Sequence, residues 1–282
     1  MSTTRTITVT TLAMLAFAAN SLLCRAALKH TAIDPATFTS LRILSGALVL
    51  SLLVLWRGNR PNRQGNWLSA LVLVVYAAAF SFAYRSLSAA TGALLLFGAV
   101  QATMISQGFR QGERLRGWQL LGFLLAAGGL VGLLLPGLSA PPLHSSLLML
   151  GAGVAWGIYS LRGRGKGDPA AVTAGNFLRA APLAAILSLV MFRSAALDGT
   201  GFGYALLSGG LTSGLGYVIW YTALPALKAT QAATVQLSVP VLAALGGIIF
   251  LGESLTLRLL LAALAILGGI ALVILEKRQD VR

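Results

Sequence analysis

Residues 34–56 read DPATFTSLRILSGALVLSLLVLW, and residues 168–190 read DPAAVTAGNFLRAAPLAAILSLV. Each opens on Asp, and the 22 residues that follow, starting with Pro, carry a single charge, Arg42 in the first and Arg179 in the second. A helix rises about 1.5 Å per residue, so roughly 20 apolar residues cross a hydrocarbon core of about 30 Å. Both stretches are expected to span a membrane as helices. Their likeness raises a second expectation, that the chain is a duplication.

The rest of the chain has the same texture. Of 282 residues, 57% are hydrophobic and 10% charged, with a mean hydropathy of +0.83. A soluble domain carries roughly 25% charged residues, so this composition excludes a soluble enzyme and a disordered chain. A single cysteine, Cys24, excludes a disulfide scaffold. Ten apolar runs are expected as spans, at about 6–28, 35–56, 66–85, 88–109, 117–135, 145–161, 170–192, 202–224, 231–251 and 255–275. They fill the chain and leave no soluble domain. Barrel strands would be alternating runs of about ten residues, so the fold class is an all-α membrane protein. Arg5, the following apolar run and Ala16-Phe17-Ala18 mimic a cleavable leader. Nine further spans of the same kind argue against cleavage, and Leu23 before Cys24 argues against a lipoprotein signal.

The net charge of +14 reads as topology rather than nucleic-acid binding. One set of alternating loops holds 14 basic residues, among them Arg57, Arg60 and Arg63. The other holds five: Arg25, Lys29, Arg85, Arg193 and Arg258. Cytoplasmic loops are enriched in Lys and Arg, so both termini are expected in the cytoplasm.

The duplication extends beyond Asp-Pro and the arginines. Gly112-Glu113-Arg114-Leu115 matches Gly252-Glu253-Ser254-Leu255, and Gly128-Gly129 matches Gly268-Gly269, both at an offset of 140. Tyr84-Arg85-Ser86-Leu87 matches Tyr221-Thr222-Ala223-Leu224, and Arg42 matches Arg179, both at 137. Two halves, 1–138 and 139–282, would each hold five spans. An odd number places the second half upside down relative to the first. Inverted repeats are the mark of alternating-access transporters, with a substrate site at the repeat interface near the midplane.

These features together resemble the EamA family of the drug/metabolite transporter superfamily. The resemblance rests on ten spans in two halves, Arg42 and Arg179 in the second helix of each, and Gly112-Glu113 and Gly252-Glu253 before each last helix. Trp156-Gly157 in the sixth span and Pro240 in the ninth also fit. The first half departs from the pattern, with Ala19-Asn20 facing Trp156-Gly157 and Val100 facing Pro240. The resemblance implies a bacterial inner-membrane exporter or facilitator of small metabolites. Amino acids are the commonest substrates among similar members, and aromatic amino acids belong to one branch. It also implies a cavity lined by spans 1, 3, 4, 6, 8 and 9.

Arg42 lies roughly 10 Å into its span and Arg179 roughly 15 Å. A charge at such depth normally lines a cavity or is paired. One reading is a positive field for a substrate carboxylate. The other, favoured because the family keeps this Arg across varied substrates, is a structural tie to backbone carbonyls. Glu113 and Glu253 suit helix N-termini, with gating ion pairs as the alternative: Glu113 with Arg110 or Arg116, and Glu253 with Arg258. No acid lies mid-span, which disfavours proton antiport of cationic drugs through a first-helix carboxylate.

Asn20, Tyr76, Phe80, Gln101, Trp156, Tyr159, Tyr217 and Gln236 are the leading candidates for the pocket wall, because buried amides need partners. Tyr76, Phe80 and Tyr84 share a face of the third span, as Tyr217 and Tyr221 do on the eighth. The two stripes are expected to face each other, with Tyr84 and Tyr221 at the interfacial belt. Pro240 is expected to kink its span. Gly128-x-x-x-Gly132, Gly153-x-x-x-Gly157 and Gly210-x-x-x-Gly214 are expected to pack helices within the chain. His30 and His144 have no metal-spaced partner, and Gly163-Arg-Gly165-Lys-Gly167 lacks the setting of a phosphate loop.

The expectation is a transporter exporting small metabolites. It needs no cofactor, no metal, no nucleic acid and no oligomer, and its partners are a small-molecule substrate and the lipid bilayer. A multidrug exporter and a sugar-phosphate or nucleotide-sugar carrier are the competing transport readings. A non-transporting membrane scaffold is the competing reading from another class.

Overall fold

Asp34 and Asp168 begin the two matching helices in the same way. The Asp34 carboxylate accepts hydrogen bonds from the backbone N–H of Ala36 at 2.9 Å and Thr37 at 3.0 Å. Asp168 accepts from Ala170 at 3.2 Å. A proline follows each at the first helical position, where its missing N–H costs nothing. The computed structural model describes residues 3–61, 64–110, 117–137, 140–163, 167–227 and 235–276.

Among the described residues ten helices follow in chain order, in the places where the ten apolar runs are expected. They are α1 (Thr3–His30), α2 (Pro35–Trp56), α3 (Trp67–Tyr84), α4 (Ala89–Arg110), α5 (Trp118–Leu134), α6 (Leu143–Gly163) and α7 (Pro169–Val190). Then come α8 (Gly199–Ala226), α9 (Ser238–Leu251) and α10 (Leu257–Glu276). Six of them, α1 to α4, α7 and α8, are long and apolar enough to cross a membrane. Among the described residues α5, α9 and α10 are shorter apolar helices. The sixth is more polar than expected, because its inner face buries Ser145, Ser146 and Ser160 beside Trp156 and Tyr159.

Packing explains which faces are apolar. On α2, Leu44, Leu48, Leu52 and Leu55 are exposed, whereas Arg42, Ile43, Gly46, Ala47 and Leu50 are buried. A lipid-facing stripe and an inward-facing stripe are thus separated on one helix. The helix contacts come in matched sets. The second helix lies on α7, and α5 on α10. In addition α3 lies on α6 and α7, α4 on α6, α1 on α8 and α9, and α2 on α8. Exchanging α1–α5 for α6–α10 maps each of these pairings onto another or onto itself.

Small residues permit the closest contacts. A Cβ at Gly153 would lie 2.4 Å from the Leu96 carbonyl oxygen, so α6 rests directly on α4 there. Gly128 and Gly132 do not pack in this way, since a Cβ at either meets nothing within 4 Å. Their expected role falls to Gly129, against Ala265 and Ile266, and to Gly269, against Gly122 and Ala126, in the α5–α10 contact.

A buried arginine in an aromatic and hydroxyl cage

The eighth helix departs most from a regular span. It starts as α-helix over Gly199–Leu206, becomes π-helix over Leu207–Leu215, and resumes as α-helix over Gly216–Ala223 before a closing 3-10 turn. A π-helix widens the turn by an extra residue and often marks a functional site. Here it turns Ser208, Thr212 and Ser213 to one side. The Asn20 side-chain oxygen on α1 accepts from their hydroxyls at 2.8, 3.1 and 3.4 Å. In an α-helix, positions four and five residues on from Ser208 would point in directions about 100° apart.

Arg42 of α2 reaches the same place. Its Nε donates to the Ser213 hydroxyl at 3.0 Å, and its Nη2 donates to the Tyr76 and Tyr217 hydroxyls at 3.1 and 3.2 Å. The guanidinium carbon lies 5.1 Å from the Tyr76 ring centre and 4.9 Å from that of Phe80. Arg42 is 1% exposed. Its Nη1 is buried without a hydrogen-bond partner. Gly209 makes room for this arrangement, since a Cβ there would lie 2.0 Å from the Arg42 carbonyl oxygen.

Rings close the other side. The Trp156 ring centre lies 4.5 Å from Tyr217, 5.1 Å from Tyr76 and 5.6 Å from Tyr159, and Phe17 of α1 stands edge-on to Trp156 at 5.8 Å. Asn20 also donates to the Tyr76 hydroxyl at 3.5 Å. The structure thus brings Asn20, Arg42, Tyr76, Phe80, Trp156, Tyr159 and Tyr217 into one connected cluster, and the stripes on α3 and α8 meet across Arg42 and Trp156. Gln101 on α4 and Gln236 before α9 are buried as well, and the Gln236 Oε1 has no partner.

Of the other residues singled out, one sits as favoured and several sit differently. Nη1 of Arg179 donates to the carbonyls of Gln64 at 2.8 Å and Gly175 at 2.9 Å, fastening α7 to the segment before α3. That is the structural tie to backbone carbonyls favoured for this residue. Tyr84 and Tyr221 are buried rather than placed in an outer belt. Pro240 lies in the first turn of α9, not in mid-helix. Lacking an N–H, it cannot bond the carbonyl four residues back, and the helix is interrupted at Leu237. Glu113 falls outside the described residues.

Glu253 does not pair with the nearby Arg258, which donates to the carbonyls of Gly132 and Leu135. It pairs instead with Arg25 of α1 at 3.0 Å, and its second oxygen accepts from the N–H of Ala89 at 2.8 Å. The helix it caps is therefore α4 rather than α10. Arg25 also donates to the carbonyls of Tyr84 and Arg85, at 2.9 and 3.1 Å. One ion pair thus ties α1, the α3–α4 corner and the α9–α10 loop together. Sequence reading overlooked Phe17 and the three hydroxyls. Residues Ser208 to Ser213 look like ordinary small helix residues until Asn20 is brought to them.

The family model of the EamA-like transporter family matches this chain twice, over residues 4–135 and 144–275. The chain belongs to the EamA-like transporter family. It is a multi-pass membrane protein of a bacterial transporter family. Among relatives, an uncharacterized protein of Pseudomonas aeruginosa is 63% identical over 271 residues, covering 96% of this chain and 94% of that one. The uncharacterized transporter YoaV of Bacillus subtilis is 24% identical, covering 84% of this chain and 86% of its own length. The threonine/homoserine exporter RhtA of Salmonella typhimurium is 34% identical over 133 residues, 45% of this chain and 44% of that one. A solved crystal structure superposes on 99% of this chain and 100% of its own length with a TM-score of 0.70. At 21% identity it supports the fold alone.

Proposed function

We propose that this protein exports small metabolites, chiefly amino acids with apolar or aromatic side chains, across the bacterial inner membrane, with both termini cytoplasmic. The observation that carries the proposal is Arg42, a buried guanidinium held by neutral hydroxyls with one nitrogen unpartnered. A buried charge costs several kcal/mol unless compensated, and a substrate carboxylate supplies the missing compensation. Trp156, Tyr76, Tyr217 and Phe17 supply the wall for a side chain. The partial likeness to a threonine/homoserine exporter supports amino acids as the substrates.

Alternating access follows from the two halves, 1–138 and 139–282, read as inverted repeats. The exchange symmetry of the helix contacts supports that reading, as does a site flanked by a π-helical eighth span and an interrupted ninth. In this reading Arg25–Glu253 closes one face, which the charge bias assigns to the periplasm, and transport requires it to open. Asn20, Gln101 and Gln236 line the polar part of the path, and Pro240 fixes the break beside it.

The test is uptake of labelled amino acids into proteoliposomes by wild-type protein and by Tyr76→Ala, Trp156→Ala and Tyr217→Ala. Saturable flux, lowered at least tenfold in each variant, is expected. Flux undiminished in all three removes the pocket assignment.

A further inference from the structure

We infer that the central site reads the carboxylate of its substrate and not an ammonium group, so that it takes monocarboxylates with an apolar or aromatic body whether or not they carry an amine. This deepens the reading of the Arg42 cluster as the transport site, and rests on it.

The charge inventory around Arg42 is one-sided. Its three hydrogen-bond partners, Ser213, Tyr76 and Tyr217, are all neutral. The carboxylates among the described side chains are engaged elsewhere. Asp34, Asp168 and Asp198 cap helix N-termini, and Glu253 holds Arg25 and the N–H of Ala89. The open Nη1 is a pure donor with an acceptor missing, and a carboxylate matches a guanidinium edge with two oxygens. A phosphate dianion would bring two charges to one guanidinium.

Within the hydrogen-bonded cage around Arg42 nothing comparable awaits an ammonium; the open Gln236 Oε1, before α9, makes no hydrogen bond to that cage. The acceptor in the cage, the Asn20 side-chain oxygen, already takes hydroxyls from Ser208 and Thr212. Two of the rings, Tyr76 and Phe80, already lie under the Arg42 cation. Trp156 is already packed against Tyr217, Tyr76, Tyr159 and Phe17, and a cation on it would meet the repulsive field of that same buried charge. The amine of an amino acid therefore adds little affinity here. An amine without a carboxylate meets like charge and no partner.

The experiment is calorimetric binding to the purified full-length protein, paired with flux in proteoliposomes. The probes are L-phenylalanine, 3-phenylpropionate and phenethylamine, then L-leucine, 4-methylpentanoate and isoamylamine. The expected result is that each amine-free carboxylate binds within about tenfold of its amino acid, and each carboxyl-free amine at least about 30-fold more weakly. Arg42→Gln should weaken carboxylate binding by about 30-fold or more, with Arg42→Lys recovering part of it. The ligand series on wild-type protein decides the question even if a variant fails to fold. Amino acids that bind and move while their amine-free analogues do neither would overturn the inference and leave the exporter reading standing. Carboxylates that bind and move, while the amino acids bind as tightly but give no flux, would uphold the inference and overturn the amino-acid export reading. Binding of none of the carboxyl compounds would overturn both.

Discussion

Replacing Gly209 by Ala puts a methyl group where the structure has a backbone contact. The new Cβ would lie 2.0 Å from the Arg42 carbonyl oxygen, 2.0 Å from the Ser45 hydroxyl and 2.7 Å from the Arg42 carbonyl carbon. The backbone atoms cannot rotate away, so the π segment must retreat from α2 by on the order of 1 Å to restore van der Waals contact. Such overpacking costs about 1–3 kcal/mol. The retreat also stretches the Arg42–Ser213 hydrogen bond, now 3.0 Å, and a bond to a charged group is worth about 1.5–3 kcal/mol. Alanine returns about 1 kcal/mol over glycine within a helix. The net loss is about 1.5–5 kcal/mol, equivalent to roughly 3–20 °C in melting temperature for a chain of this size. The control is Gly203→Ala on the same helix, where a Cβ meets nothing within 4 Å and only the propensity gain remains. Thermal unfolding in detergent reads both variants. Gly209→Ala melting within about a degree of Gly203→Ala would refute the tight α2–α8 contact and the cage built on it.

Three further outcomes are expected. A double-mutant cycle on Arg25→Gln and Glu253→Gln, whose side chains are 11% and 9% exposed, should give a coupling of about 1–3 kcal/mol in unfolding, and the same cycle on Glu253 with Arg258 should give none. Burial raises the Asp34 carboxyl, but hydrogen bonds from Thr37, Ala196 and Ala36 outweigh it and hold the group below its ordinary 3.8. Its contribution is therefore complete above the unfolded value and lost as pH falls through the lower folded value, so wild type and Asp34→Asn should differ in stability at pH 6 and converge in strong acid. A constant gap across that range would contradict the assignment. Asn20→Ala should lower flux at least tenfold, because three hydroxyls lose their shared acceptor; undiminished flux would remove Asn20 from the path.

The helices were readable because their signal is local. Asp34-Pro35 and Asp168-Pro169 mark starts, and the uninterrupted apolar runs that follow can be counted directly. Arg42 was also readable as a costly charge at depth. Its partners were not, since Ser213 and Tyr217 lie 171 and 175 residues away. Glu253 shows the same limit: proximity in sequence favoured Arg258, but packing delivers Arg25, 228 residues distant. Tyr84 and Tyr221 looked interfacial from their positions near span ends, and neighbouring helices bury them. The π-helix left no sequence mark, because the gain from turning Thr212 and Ser213 together appears only once Asn20 of α1 is there to accept.

The most direct measurement is counterflow of labelled L-phenylalanine and L-leucine in proteoliposomes, comparing wild type with Arg42→Gln and with each protein's melting temperature recorded alongside. The account predicts saturable wild-type flux that falls about 30-fold or more in the variant, with the variant still folded at the assay temperature. Flux in a folded Arg42→Gln equal to that of wild type would contradict it.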